Sequence, residues 1–136
     1  MADIKRLPER GASLTPDSIY HMLSTLYQTA HHLHLSTTSY AKHKMLNDVY
    51  EELQDYKDSI CEYLLGIQAP KRFGTPQPIV TTPYSESAIG KFLDDGFKFT
   101  VSLCVYADEK GLEQLCNLAS ELQGVFVKGK YLNTLS

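Results

Sequence analysis

Apolar residues recur along this chain at three- and four-residue steps, the spacing of a helix with one buried face. Ile19, Met22, Leu23, Leu26, Tyr27, Ala30 and Leu33 carry the first such stripe. Thr15-Pro16-Asp17 opens it with the residue types that suit an N-cap, the first helical position and the first turn. The pattern predicts a helix over 16–35. The small polar run Ser36 to Ser39 then predicts a short connection and a fresh N-cap. A second helix is expected over 40–65, with Leu46, Val49, Tyr50, Leu53, Tyr56, Ile60 and Leu64 on its apolar side and Gly66 as the glycine that closes it.

From Ala69 to Ser85 the periodicity stops. Pro70, Pro76, Pro78 and Pro83 together with Gly74 exclude a long helix, although Ile79 to Thr82 is a short β-prone run. A third helix is expected over 86–107, where Ile89, Phe92, Leu93, Phe97, Thr100, Val101 and Cys104 keep a helical phase. The β-branched stretch Thr100 to Val105 also admits a strand. Asp108 to Gly111 break that element. A fourth helix is expected over 112–132, weakened towards its end by Gly124 and Gly129. Two long helices, a long connection and two more helices suggest an all-α fold, a four-helix bundle of ferritin-like connectivity with its crossover between helices 2 and 3. A single domain over 1–136 is expected, with 1–14 as a flexible arm.

Composition narrows the function classes. The apolar runs are too short for a transmembrane helix, and the first residues, MADIKRLPERGASLTP, have no apolar core of a secretory signal, so a cytoplasmic protein without membrane partners is expected. The net charge of −3 and an arm with a surplus of one positive charge make nucleic-acid binding unexpected. Cys61, Cys104 and Cys116 form no Cys-x-x-Cys pair and read as buried free thiols. No nucleophile elbow, phosphate-binding glycine loop or zinc-finger spacing is present.

The chemistry-bearing residues concentrate in one region. All five histidines fall between His21 and His43. On the second helix, His43, Asn47, Glu51, Gln54, Asp58 and Glu62 step by three or four residues and form one polar stripe. Two readings are open. The stripe is a solvated helix face with (i, i+4) charges, or it supplies ligands. As ligands, His43 and Glu62 are 19 residues apart, roughly 28 Å along one helix, and cannot share an ion within a chain. Two copies of the helix crossing antiparallel near residue 52 would bring His43 of one to Asp58 and Glu62 of the other, twice over, with His31 able to complete each site.

The stretch TAHHLHLSTTSYAKHKMLNDVYEELQDYKDSICEYLLG resembles the signature of the Dps (DNA-binding protein from starved cells) family of mini-ferritins. Ala30-His31 stands at that family's Ala-His step, and His43 follows twelve residues later within a His-x-x-Leu run. Asp58 and Glu62 occupy its Asp-x-x-x-Glu positions, and Gly66 closes the helix. The resemblance implies a ferroxidase centre at a two-fold dimer interface. His31 and His43 would come from one subunit and Asp58 and Glu62 from its mate. Iron would be the metal, oxidised from Fe(II) by peroxide or oxygen and stored, with zinc or manganese as alternatives. The assembly implied is a homo-oligomer, a dimer at least and a dodecamer in the family.

Two positions depart from the family pattern. Asn47 replaces a carboxylate and His32 replaces a tryptophan, so Asn47, His32 and His34 are expected to be weak or outer ligands. The alternative function is a ferritin-like helical scaffold with a decayed metal centre, working through protein contacts, for which the nine tyrosines offer interface side chains.

Overall fold

A computed structural model describes residues 14–135 of the chain. These form four helices, α1 (Pro16–Ser36), α2 (Tyr40–Gly66), α3 (Glu86–Glu109) and α4 (Glu113–Asn133), with no strand among the described residues. The run Thr100 to Val105 is helical and Ile79 to Thr82 is irregular. Thr100 shows how the β-branched stretch is accommodated. It is buried in the bundle, and its hydroxyl donates to the carbonyl of Phe97 one turn back at 2.6 Å. No helix among the described residues is long and apolar enough to cross a membrane. Of the expected arm, residues 1–13 lie outside the described residues, whereas Leu14 is half-buried against the core.

The helix starts follow from local chemistry. Thr15 accepts from the Ser18 amide at 3.0 Å while Ser18 accepts from the Thr15 amide at 2.8 Å, a reciprocal cap. Leu14 and Ile19 stand at the two positions of a hydrophobic staple around it. Ser39 and Ser85 cap α2 and α3 through their hydroxyls. The helix ends correct one expectation. Gly66 is the last helical residue of α2, and the left-handed position belongs to Gln68, at φ 58°. The Ala69 amide bonds to the Leu64 carbonyl at 2.9 Å and the Gln68 amide to the Leu65 carbonyl at 3.0 Å, which is a Schellman closure with its left-handed residue just beyond the glycine. The same closure ends α3 with Gly111 at φ 68°, where glycine carries no Cβ penalty.

α1 packs along α2 and α3 along α4. The two hairpins join through α2 against α4 and, less extensively, α1 against α3. Tyr56 bonds Glu121 at 3.1 Å and Lys42 bonds Asn133 at 3.0 Å, so α2 and α4 run antiparallel. Lys42 also lies 3.8 Å from Glu86, which puts the starts of α2 and α3 at one end. Both helices therefore point the same way, and residues 67–85 must return the chain the length of the bundle. That return starts beside α1, where Phe73 stacks on Tyr20 at 4.9 Å and the Gly74 amide bonds Asp17 at 3.0 Å. Inside, Gly96 of α3 makes room for the fully buried Phe126 of α4.

Candidate metal centre

The short α1–α2 connection decides where the histidines go. The last carbonyls of any helix lack partners within it. Here the Thr37 amide takes the Leu33 carbonyl at 3.0 Å, and the ring of His43 donates through Nδ1 to the carbonyl of His34 at 2.9 Å. The reverse bond also forms, from His34 Nδ1 to the carbonyl of His43 at 3.0 Å. A carbonyl oxygen can only accept, so both rings carry a hydrogen on Nδ1. The two imidazoles stack with centroids 3.9 Å apart and 23° between their planes. Ser39 helps fix this register, because it caps the first turn of α2 on which His43 sits.

His31 joins the cluster from one turn earlier on α1, 6.0 Å from His34. Tyr50 lies 4.8 Å from His31 and 5.2 Å from His34, with Tyr27 behind it at 5.9 Å. Tyr50 is the member that ligand spacing misses. The signal is present in the helical phase, since Tyr27, His31 and His34 share a face of α1 while His43 and Tyr50 are two turns apart on α2. His34 is buried, His31 and His43 are half-buried, and His32 is exposed. Asn47 is half-buried one turn after His43.

The carboxylates stand apart. Asp58 and Glu62 are exposed towards the other end of α2. Asp58 borders a hollow of about 450 Å³ walled by Lys57, Cys61, Phe73 and Pro76, so the crossover forms one side of its surroundings. Burial pushes the Cys61 thiol up to about 11, with Asp58 and Glu62 adding to the rise and Lys57 opposing it. Cys104 and Cys116 are half-buried and all three thiols are free, so only Cys61 meets the expectation of a buried one. Among the described residues, no three side chains of His, Cys, Asp or Glu are placed within the chain so that they could hold a metal ion together. The structure thus brings His31, His34 and His43 together and leaves Asp58 and Glu62 outside that cluster.

The donor types fit a first-row divalent metal: imidazole nitrogens whose Nδ1 is occupied, leaving Nε2, and accessible carboxylates. A second groove, about 280 Å³, runs between α2 and α4 beside Asp48, Glu51, Glu52, Asp55 and Lys128. Asp48, one residue from Asn47, lines this α4-side groove.

No curated protein and no solved structure matches the chain. Residues 34–132, which include His34, His43, Asp58 and Glu62 but stop short of His31, match the model of a family of unknown function (DUF5856), and the chain belongs to that family.

Proposed function

We propose that this protein is a Dps-like iron-binding protein whose ferroxidase-type centre forms across a two-fold dimer. The observation that carries the reading is the arrangement on α2. His43 is oriented by a carbonyl of α1 at one end, and Asp58 and Glu62 lie exposed towards the other end of the same helix. Roughly 28 Å of helix separates His43 from Glu62, so one chain cannot close the set and a two-fold mate can. Two hairpins joined by one long crossover, with α2 and α3 parallel, is also the connectivity of ferritin-like bundles.

In this reading Fe(II) is the substrate. Asp58 and Glu62 supply the negative charge that neutralises it, while His31 and His43 set the geometry as neutral donors. Asn47 keeps an oxygen at its position and lacks the charge, so a second iron binds more weakly. His32 is an outer contact. Peroxide or oxygen would be the oxidant, and the assembly a dimer or a closed multiple of it.

Anaerobic Fe(II) titration with native mass measured alongside tests the proposal. Saturable binding near two sites per dimer, lost in the His31→Ala/Glu62→Ala variant, is the expected result. Binding no better than in that variant would retire it in favour of a scaffold acting through protein contacts. The exposed Tyr40, Tyr131 and Leu135 favour that second reading by supplying an apolar surface at one end of the bundle.

A further inference from the structure

We infer that His34 is a positioning residue for His43, and that the pair is locked with Nδ1 protonated so that His43 presents Nε2 as its ligand atom. The inference deepens the proposed function, and its link to iron rests on that reading. The lock itself does not. It stands on two reciprocal ring-to-carbonyl bonds of 2.9 and 3.0 Å and a ring stack at 3.9 Å.

Three physical facts make the pair a positioning device. First, the acceptor for each Nδ1 is a backbone oxygen, which has no proton to give, so the tautomer is set by geometry. In the neutral ring the lone pair then sits on Nε2. Second, the His34 carbonyl belongs to the last turn of α1, where helical partners run out, so the His43 ring serves as its cap. Moving the ring would leave that carbonyl without this partner. Third, His34 is 7% exposed and holds its ring flat on that of His43. Stacking and the bond to the His43 carbonyl together restrict where the His43 imidazole can swing. A ligand imidazole whose other nitrogen donates to a backbone carbonyl is oriented before metal arrives.

The side chain of His34 is also separable from its backbone role. His34→Phe keeps an aromatic ring for stacking and removes the N–H that holds the His43 carbonyl. His34→Asn puts an amide N–H near the position of Nδ1 and removes most of the ring. If the ring-to-carbonyl bond is what positions His43, Asn should rescue and Phe should not.

The test is nitrogen-detected imidazole NMR of the metal-free, full-length protein, followed by Fe(II) titration of the same three proteins. The wild type is expected to show His43 with Nδ1 protonated and Nε2 bare. In His34→Phe, His43 should move to a mixture of tautomers, and Fe(II) affinity should fall about 10- to 100-fold. His34→Asn should restore both. A wild-type His43 protonated on Nε2 overturns the inference, as does a His34→Phe variant that changes neither the tautomer nor the affinity. If His34→Phe does not fold, the wild-type spectrum still decides the tautomer. A wild type that binds no Fe(II) yet shows the expected tautomer response sinks the iron reading and keeps the lock. Normal Fe(II) binding with no tautomer response sinks the lock alone.

Discussion

The α1–α2 hairpin and the α3–α4 hairpin bury their facing surfaces in different ways. Between α1 and α2 lies a polar aromatic cluster, His31, His34, His43 and Tyr50, held by directional bonds to backbone carbonyls. Between α3 and α4 lie Phe92 and Phe126, edge to face at 5.8 Å, with Gly96 opposite the ring. Hydrogen bonds fix orientation, and each adds only about 0.5–1.5 kcal/mol of net stability. Fully burying a large apolar side chain contributes about 1.5–3 kcal/mol and tolerates little change in shape. Both hairpins share the apolar core, with Leu23, Leu33, Leu53 and Ile60 buried in the first as fully as Phe126 in the second, and the first adds to it a cluster of aimed polar side chains. Mutations should separate the two.

The largest effect is expected at Gly96. A Cβ there would overlap the ring of Phe126, which is fully buried and has no room to withdraw. Gly96→Ala should cost about 3 kcal/mol or more, despite alanine's better helix propensity. Urea unfolding measures it, and a loss under 1 kcal/mol would mean that the α3–α4 contact is far looser than described.

Cys61, on α2 away from the histidines, gives the next effect through pH. Its folded value, about 11, is raised above the ordinary 9.0 by burial. The stability this represents is present below pH 9 and is lost as pH rises towards 11. The loss should be on the order of 2 kcal/mol. Denaturation of wild type and Cys61→Ala between pH 8 and 11 isolates it, because the variant should lack that part of the slope. Parallel curves would assign the alkaline loss to other groups, such as Tyr106, whose phenol burial also holds up.

Smaller effects probe the first hairpin. His43→Asn keeps an N–H near the Nδ1 position, and His43→Gln moves its amide towards the Nε2 position. The Gln variant should be about 1 kcal/mol less stable than the Asn variant, while neither binds Fe(II) as wild type does. Equal stabilities would remove the capping role of the ring. The smallest effect is at the two helix ends of like geometry. Gln68→Gly should stabilise by up to about 1 kcal/mol by relieving a left-handed residue, and Gly111→Ala should cost a similar amount. A destabilised Gln68→Gly variant would mean that the glutamine side chain contributes contacts of its own.

Much of the helical layout was legible from local rules. Thr15-Pro16-Asp17, Ser39 and Ser85 mark starts because an N-cap hydroxyl acts on an amide three residues away. The proline-rich stretch from Ala69 to Ser85 excludes helix for equally local reasons. The expected end of α2 differs from the observed one by a single residue, but the left-handed position falls two residues after Gly66, on Gln68, because the chain closes through a Schellman pair there. At the candidate site, spacing and the family resemblance together suggested His31, His43, Asp58 and Glu62 as one set, and the departures from the family pattern suggested Asn47, His32 and His34 as outer residues. Neither spacing nor the resemblance gave a hint that His34 and His43 exchange ring-to-carbonyl bonds, because that pairing crosses a helix end whose geometry depends on how α1 meets α2.

By itself, then, the sequence determined what short-range physics controls. Apolar period, caps and breakers fix four helices and a crossover, because each acts within a few residues of backbone. Only the tertiary structure decided which polar side chains meet. Lys42 reaches Asn133 and Glu86, Tyr50 packs against both His31 and His34, and Gly96 yields to Phe126. Those contacts depend on the relative placement of whole helices, which is set by packing summed over the bundle and leaves no signature in the spacing along one helix.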